Sequence, residues 1–169
     1  MRHVKDTETL SPLLPDETEA AVRRLLAKAS ERGLMLATAE SCTGGMIASL
    51  LTDVQGVSHT FDRGFVTYTN EAKHEMLGVP MPVIEEKSAV SEEVAIAMAE
   101  GALANSRANI AVSVTGYADS GPEPGLVHFG CGRAGRLTLH REEHFGDVGR
   151  GATRLACLRT AVEMMTEML

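Results

Sequence analysis

Ala39-Glu40-Ser41-Cys42-Thr43-Gly44-Gly45 is the stretch whose reading decides the fold. An apolar run, Leu34-Met35-Leu36-Ala37, leads into it. Met46-Ile47-Ala48-Ser49-Leu50-Leu51, with apolar pairs at helical spacing, leads out. The pattern predicts strand, tight turn, helix. The Ser41 and Thr43 hydroxyls, the Cys42 thiol and the bare amides of Gly44 and Gly45 then crowd a helix N-terminus. Unpaired N–H groups and a partial positive charge suit such a place to an anion, or to the oxyanion that grows on a carbonyl under attack. Glycine lets a ligand approach the backbone closely. The plainer reading is a small-residue turn with Ser or Thr capping the helix.

Length and composition narrow the classes around this turn. A chain of 169 residues suits one domain with a full core. Only 4% of residues are aromatic and none is Trp, so the core is aliphatic, with Ala and Met. A net charge of −7 argues against a large nucleic-acid surface and leaves room for a local basic pocket. Cys42, Cys131 and Cys157 are odd in number and far apart. That spacing fits neither a disulfide framework nor a zinc site and points to a reducing compartment. Met1 to Glu8 lacks the apolar core of a signal peptide, and no apolar run is long enough for a bilayer. The expectation is a soluble cytoplasmic protein with no membrane partner.

Working outward, residues 1–14 read as a flexible polar arm and 15–169 as the domain. Asp16 and Glu19 resemble a capping box after Pro15, and Val22, Leu25, Leu26 and Ala29 form one helical stripe that Gly33 stops. Beyond Gln55-Gly56, the stretch from Thr60 to Thr69 is rich in aromatic and β-branched residues and predicts a strand. Asn70 then caps a short helix closed by Gly78, which sets Tyr68 at a strand end and Lys73 in the first helical turn. Strand ends are where α/β sheets keep their sites. Val79-Pro80-Met81-Pro82 reads as a loop. Ser91 caps a helix with the buried stripe Val94, Ala97, Met98 and Gly101, whose small residues imply close packing on a sheet. Ile110 to Thr115 is apolar or small on both faces, as in a central strand covered twice. Gly116 to Gly125 is a loop after that strand's end.

Leu126 to Phe145 reads as a β-hairpin. A turn centred on Ala134 sets Phe129 opposite Leu139 and Cys131 opposite Leu137. The same register sets His128 opposite His140, near Glu142. Two His and a Glu can bind a metal, but a wet or helix-covered polar face is the plainer reading, and no metal is expected. The last helix spans about Gly149 to Leu169 with Leu155, Leu158, Val162 and Met165 inward. Arg150 and Arg154 near its start oppose the helix dipole. Either an anion holds them there or they are simply solvated.

Three motifs carry a resemblance. Thr38-Ala39-Glu40-Ser41-Cys42-Thr43-Gly44-Gly45, then Arg63 through Lys73 (Arg-Gly-Phe-Val-Thr-Tyr-Thr-Asn-Glu-Ala-Lys), then Ala89-Val90-Ser91-Glu92-Glu93-Val94, resemble the CinA C-terminal domain family, in order from about residue 18 to the end. That family includes stand-alone nicotinamide-nucleotide amidases. The resemblance implies an α/β fold, a three-layer α/β/α sandwich with a mixed sheet in a single domain. It also implies hydrolysis of nicotinamide mononucleotide to nicotinate mononucleotide and ammonia, in pyridine nucleotide salvage, with no cofactor and a homo-oligomeric assembly. The family's serine nucleophile falls on Ser41, its active-site tyrosine on Tyr68 and its motif lysine on Lys73. The family's Gly-Asp-Arg segment meets Gly146-Asp147-Val148-Gly149-Arg150 here. With Val148-Gly149 read as an insertion, Arg150 takes the arginine's role; without it, Val148 stands in that place. The family's Gly-rich loop after Thr115-Gly116 is shortened to residues 117–125.

The expected chemistry is attack by Ser41 on a carboxamide carbon. Tyr68 or Lys73 takes the hydroxyl proton, amides of Thr43 and Gly44 hold the oxyanion, and Arg150 pairs with phosphate or developing charge. Cys42 is the rival nucleophile. Cys42, Thr43, Gly44, Gly45, Asn70, Thr115 and Gly116 are the candidate substrate contacts. Two other readings stay open: a nucleotide-binding protein without turnover, and a hydrolase of another small amide.

Overall fold

The computed structural model describes residues 14–169; the arm expected over 1–14 lies outside them except for Leu14. Five strands form one mixed sheet in the order β2-β1-β3-β4-β5. They are β1 (Leu36–Glu40), β2 (Phe61–Val66), β3 (Ile110–Gly116), β4 (Leu126–Arg133) and β5 (Leu139–His144). The β2-β1-β3 half is parallel and the β3-β4-β5 half antiparallel. Six α-helices cover both faces, so the described residues form a single-domain three-layer α/β/α sandwich. They are α1 (Asp16–Glu31), α2 (Met46–Thr52), α3 (Asn70–Leu77), α4 (Met81–Lys87), α5 (Glu92–Ala104) and α6 (Arg150–Glu167).

Alternation along the strands explains the two layers. Leu36, Ile110, Val112 and Val114 join Val127 and Phe129 on the face that α1, α2 and α6 cover. Ala37, Ala39 and Ala111 point the other way, toward Val94, Met98 and Ala102 of α5. The small residues on that second face bring α5 down onto the sheet. A Cβ at Gly130 would sit 2.4 Å from the Ala95 carbonyl oxygen, and Ser113 Oγ donates to that oxygen at 2.5 Å. Helix α3 approaches α5 as closely: a Cβ at Gly101 would lie 2.0 Å from Leu77 O. Helix propensity alone favours Ala over Gly by about 1 kcal/mol. Overlap with a backbone atom outweighs it, so Gly101→Ala is expected to destabilise by about 3 kcal/mol, read as a lower urea midpoint at unchanged m-value.

Several local expectations need correction. Helix α1 is capped at Pro15 with no side-chain cap, and Glu19 pairs with Arg23 one turn on instead of closing a capping box. Thr69, not Asn70, caps α3, its side chain accepting from Ala72 N at 3.0 Å. The stretch 79–82 is not all loop, because Pro80 and Pro82 start the short helix α4; proline is tolerated in a first turn, where its missing N–H has no partner to lose. The hairpin register is displaced by two residues: His128 faces Glu142, Phe129 faces Arg141, Cys131 faces Leu139, and Leu137 is exposed in the turn. A shift of two preserves which face each side chain takes, so His128 and His140 still meet, diagonally, with Nδ1 and Nε2 3.0 Å apart.

Candidate active site

The turn after β1 is built around a residue that the sequence reading left without a role. Glu40 is fully buried, and its two carboxylate oxygens receive four hydrogen bonds. Thr43 Oγ1 and Ile47 N donate to one oxygen at 2.7 and 2.8 Å; Thr38 Oγ1 and Ala48 N donate to the other at 3.1 and 2.9 Å. Two backbone amides and two hydroxyls thus satisfy both carboxylate oxygens. The helix N-terminus expected to attract an external anion is therefore filled from within. Helix α2 begins only at Met46, and Glu40 takes its first amides. Gly44 N–H donates to Ser41 O at 3.1 Å, closing the turn, so that amide is not aimed at an oxyanion. Gly44 and Gly45 have φ of +58° and +100°, in the left-handed region that glycine permits, and this lets the chain reverse between strand and helix.

With the turn held this way, Ser41 faces α3. Lys73 Nζ lies 3.0 Å from Ser41 Oγ, 3.0 Å from Thr67 O and 3.2 Å from Tyr68 O. Lys73 is 1% exposed, and burial pushes its pKa down from the ordinary 10.5. A neutral amine has two N–H bonds and one lone pair. Around Lys73 the three oxygens match the three N–H bonds of an ammonium; loss of one proton would leave two N–H bonds for the carbonyls and a lone pair for Ser41. Lys73 reaches this place because Thr69 caps α3 and puts residue 73 in its first full turn, directly beneath the end of β2.

The opposite wall comes from distant elements. Arg150, the first residue of α6, donates to the Tyr68 hydroxyl at 3.3 Å and to Asp119 Oδ1 at 2.8 Å. Together these groups line a cleft of about 230 Å³ with Cys42, Asn70, Ala89, Val90, Thr115, Gly116 and residues 117–120. Ala89 and Val90 enter it because Ser88 takes φ +76°, the single positive φ on a non-glycine among the described residues. Thr115 Oγ1 donates to Ala89 O at 2.7 Å and ties this segment to the end of β3. The loop's far end is anchored by His144, whose ring contacts Glu123 and Glu142 at 2.6 Å each.

Of the residues singled out in the sequence, the cleft gathers Ser41, Cys42, Tyr68, Asn70, Lys73, Thr115, Gly116 and Arg150. Thr43, Gly44 and Gly45 lie behind the turn: Thr43 is buried against Glu40, and Arg154 reaches over from α6 to donate to Thr43 O at 3.0 Å. The two arginines of α6 thus have different tasks, one in the cleft and one bracing the turn. Val148 stays exposed, and Gly149, with φ +88°, delivers Arg150 to the cleft. The Cys42 thiol belongs to the core on the α6 side, where a hydrogen bond with Cys157 pulls its pKa down. Glu40 and Asp119 were missed as site-building residues. An acidic residue at the end of an otherwise apolar strand was the available signal for Glu40; Asp119 gave none. Among the described residues no three metal-ligating side chains converge, and no helix is long and apolar enough to cross a membrane.

Residues 18–169 match the family model of the CinA C-terminal domain. The chain belongs to the CinA C-terminal domain family. The nicotinamide-nucleotide amidohydrolase PncC of Enterobacter agglomerans is 48% identical over 130 residues, which cover 73% of this chain and 78% of that one. A protein of Symbiobacterium thermophilum is 58% identical over 105 residues, covering 62% of this chain and 24% of its own length, so this chain spans about a quarter of that longer relative. The crystal structure of the competence/damage inducible protein CihA from Agrobacterium tumefaciens superposes with a TM-score of 0.89 at 47% identity, over 92% of this chain and 97% of that one. Within the CinA domain, then, the Ser41 turn, Lys73, Tyr68 and Arg150 share one hollow.

Proposed function

We propose that this CinA domain is a serine amidohydrolase whose substrate is the carboxamide of nicotinamide mononucleotide. The observation that carries the reading is the Lys73–Ser41 contact in a buried setting that favours the neutral amine. Lys73 accepts the Ser41 hydroxyl proton, and Ser41 Oγ attacks the carboxamide carbon. The C–N bond breaks as the proton taken by Lys73 is returned, by way of the Tyr68 phenol, to the leaving nitrogen; ammonia departs, and neutral Lys73 and an acyl-serine remain. Water then adds to that ester as Lys73 takes its proton, Lys73 passes that proton to Ser41 Oγ, and nicotinate mononucleotide departs with the serine restored. Arg150 donates to the Tyr68 oxygen, which leaves the phenol's own hydrogen free to point into the cleft and reach the leaving nitrogen. The likeness to an enzyme named as a nicotinamide-nucleotide amidohydrolase over most of both chains supports the substrate assignment.

Ser41 is preferred over Cys42 on direction. Ser41 looks toward Lys73, whereas the Cys42 thiol looks toward Cys157 in the core. The test is ammonia release from nicotinamide mononucleotide by the wild type, Ser41→Ala and Cys42→Ala. Loss of turnover in the first variant and its retention in the second is the expected result. Retention in Ser41→Ala would overturn the assignment. A thermal shift with the nucleotide but no ammonia from the wild type would reduce the protein to a binder.

A further inference from the structure

The cleft wall holds two basic side chains, and both are already engaged. Lys73 is buried, with Ser41, Thr67 and Tyr68 around its nitrogen. Arg150 gives one nitrogen to Tyr68 and the other to Asp119. No other Lys or Arg lines the cleft among the described residues. An anionic group drawn to the guanidinium's remaining N–H bonds meets the Asp119 carboxylate beside it, on a short loop inside the same cleft. A built-in like charge is a means of rejecting one ligand while tolerating another. Asp119 has no hydrogen-bond partner other than Arg150 among the described residues, so nothing else draws it aside.

We propose that Asp119 is a specificity-determining residue that competes with the substrate's phosphate for Arg150. The cleft therefore gains little from a dianionic tail, and it takes a ribosyl carboxamide ending in a hydroxyl almost as readily as one ending in phosphate. This inference rests on the reading above for the carboxamide chemistry, but not for the competition at Arg150. Asp119→Asn keeps the shape and removes the charge; Asp119→Ser on the exposed loop serves as a second variant.

The experiment has two arms. In the first, kcat/KM is measured for nicotinamide mononucleotide and for its dephosphorylated riboside. The ratio of the two is expected to rise about fivefold in Asp119→Asn, as for release of one partly exposed ion pair. In the second, ribose 5-phosphate and ribose are titrated calorimetrically into Ser41→Ala and into Ser41→Ala carrying Asp119→Asn. Phosphate-bearing sugar is expected to bind about fivefold tighter in the double variant, with ribose unchanged. An unchanged ratio together with unchanged ribose 5-phosphate affinity overturns the proposal. Equal loss of kcat/KM for both substrates also overturns it, and makes Asp119 a support that aims Arg150. Absence of ammonia from both substrates in the wild type sinks the amidase reading alone, since the titrations still decide what Asp119 does.

Discussion

Lys73→Met is expected to lower kcat for ammonia release by about a thousandfold or more while the protein stays folded. A positioned general base typically supplies 10² to 10⁴ in rate, and in the proposed mechanism the same group acts in both half-reactions. Met fills nearly the same buried volume, so the fold loses mainly the hydrogen bonds to Thr67 O and Tyr68 O. The pH profile gives a second check. Protonated lysine cannot accept the Ser41 proton, so kcat/KM rises with pH through the folded-state pKa of Lys73. That pKa lies below the ordinary 10.5 because burial disfavours the ammonium. The rising limb is therefore expected below pH 10.5 and absent in Lys73→Met. Stability carries the same sign. Between the folded-state pKa and 10.5 the unfolded chain binds more protons at this lysine, so the wild type gains stability with pH across that window and the variant does not. A full-rate Lys73→Met enzyme would remove lysine from the mechanism.

Glu40→Ala is the second large effect, and it acts on stability first. Removing this carboxylate strands Ile47 N, Ala48 N and the Thr38 and Thr43 hydroxyls in a buried place. Breaking a buried, fully hydrogen-bonded charged group costs about 3–5 kcal/mol. For a domain of this size that corresponds to a fall in Tm of roughly 10 °C. Glu40→Gln keeps one acceptor oxygen but turns an NH2 toward donors, so an intermediate loss is expected. Calorimetric unfolding of both variants measures it. Ammonia release should fall further than stability alone predicts, because the same four bonds set where the Ser41 turn leaves the sheet. A Glu40→Ala protein with wild-type Tm would mean that the turn holds itself.

The two effects differ in kind, which makes them separable. In the proposed mechanism Lys73 acts on the Ser41 oxygen directly, and its loss is expected to leave the melting temperature nearly in place. Glu40 acts only through the backbone it ties, and its loss moves stability and rate together.

Much of this was legible in the linear chain, and particular residues show why. The helical stripe Val22, Leu25, Leu26 and Ala29, the doubly covered strand at Ile110 to Thr115 and the αL stop at Gly78 follow from period and turn chemistry, which are local. The motif residues Ser41, Tyr68, Lys73 and Arg150 stand out in the sequence, though their distances do not. The α4 helix was hidden because two prolines in four residues read as loop, although both suit a helix start. The hairpin register slipped by two because apolar alternation has period two and cannot tell one in-phase pairing from the next.

Nothing local could tell that the positive end of α2 is taken by Glu40, that Arg154 braces the turn while Arg150 enters the cleft, or that Asp119 already holds the guanidinium. By itself the sequence determined the strand–turn–helix at Ser41 and the helical stripes, since these depend on spacing along the chain, while the layers and the candidate reactive groups followed from the family resemblance that its motifs carry. The tertiary structure alone decided which charges meet, because ion pairs and buried hydrogen bonds here join residues up to 111 positions apart, and their strength depends on distance through space.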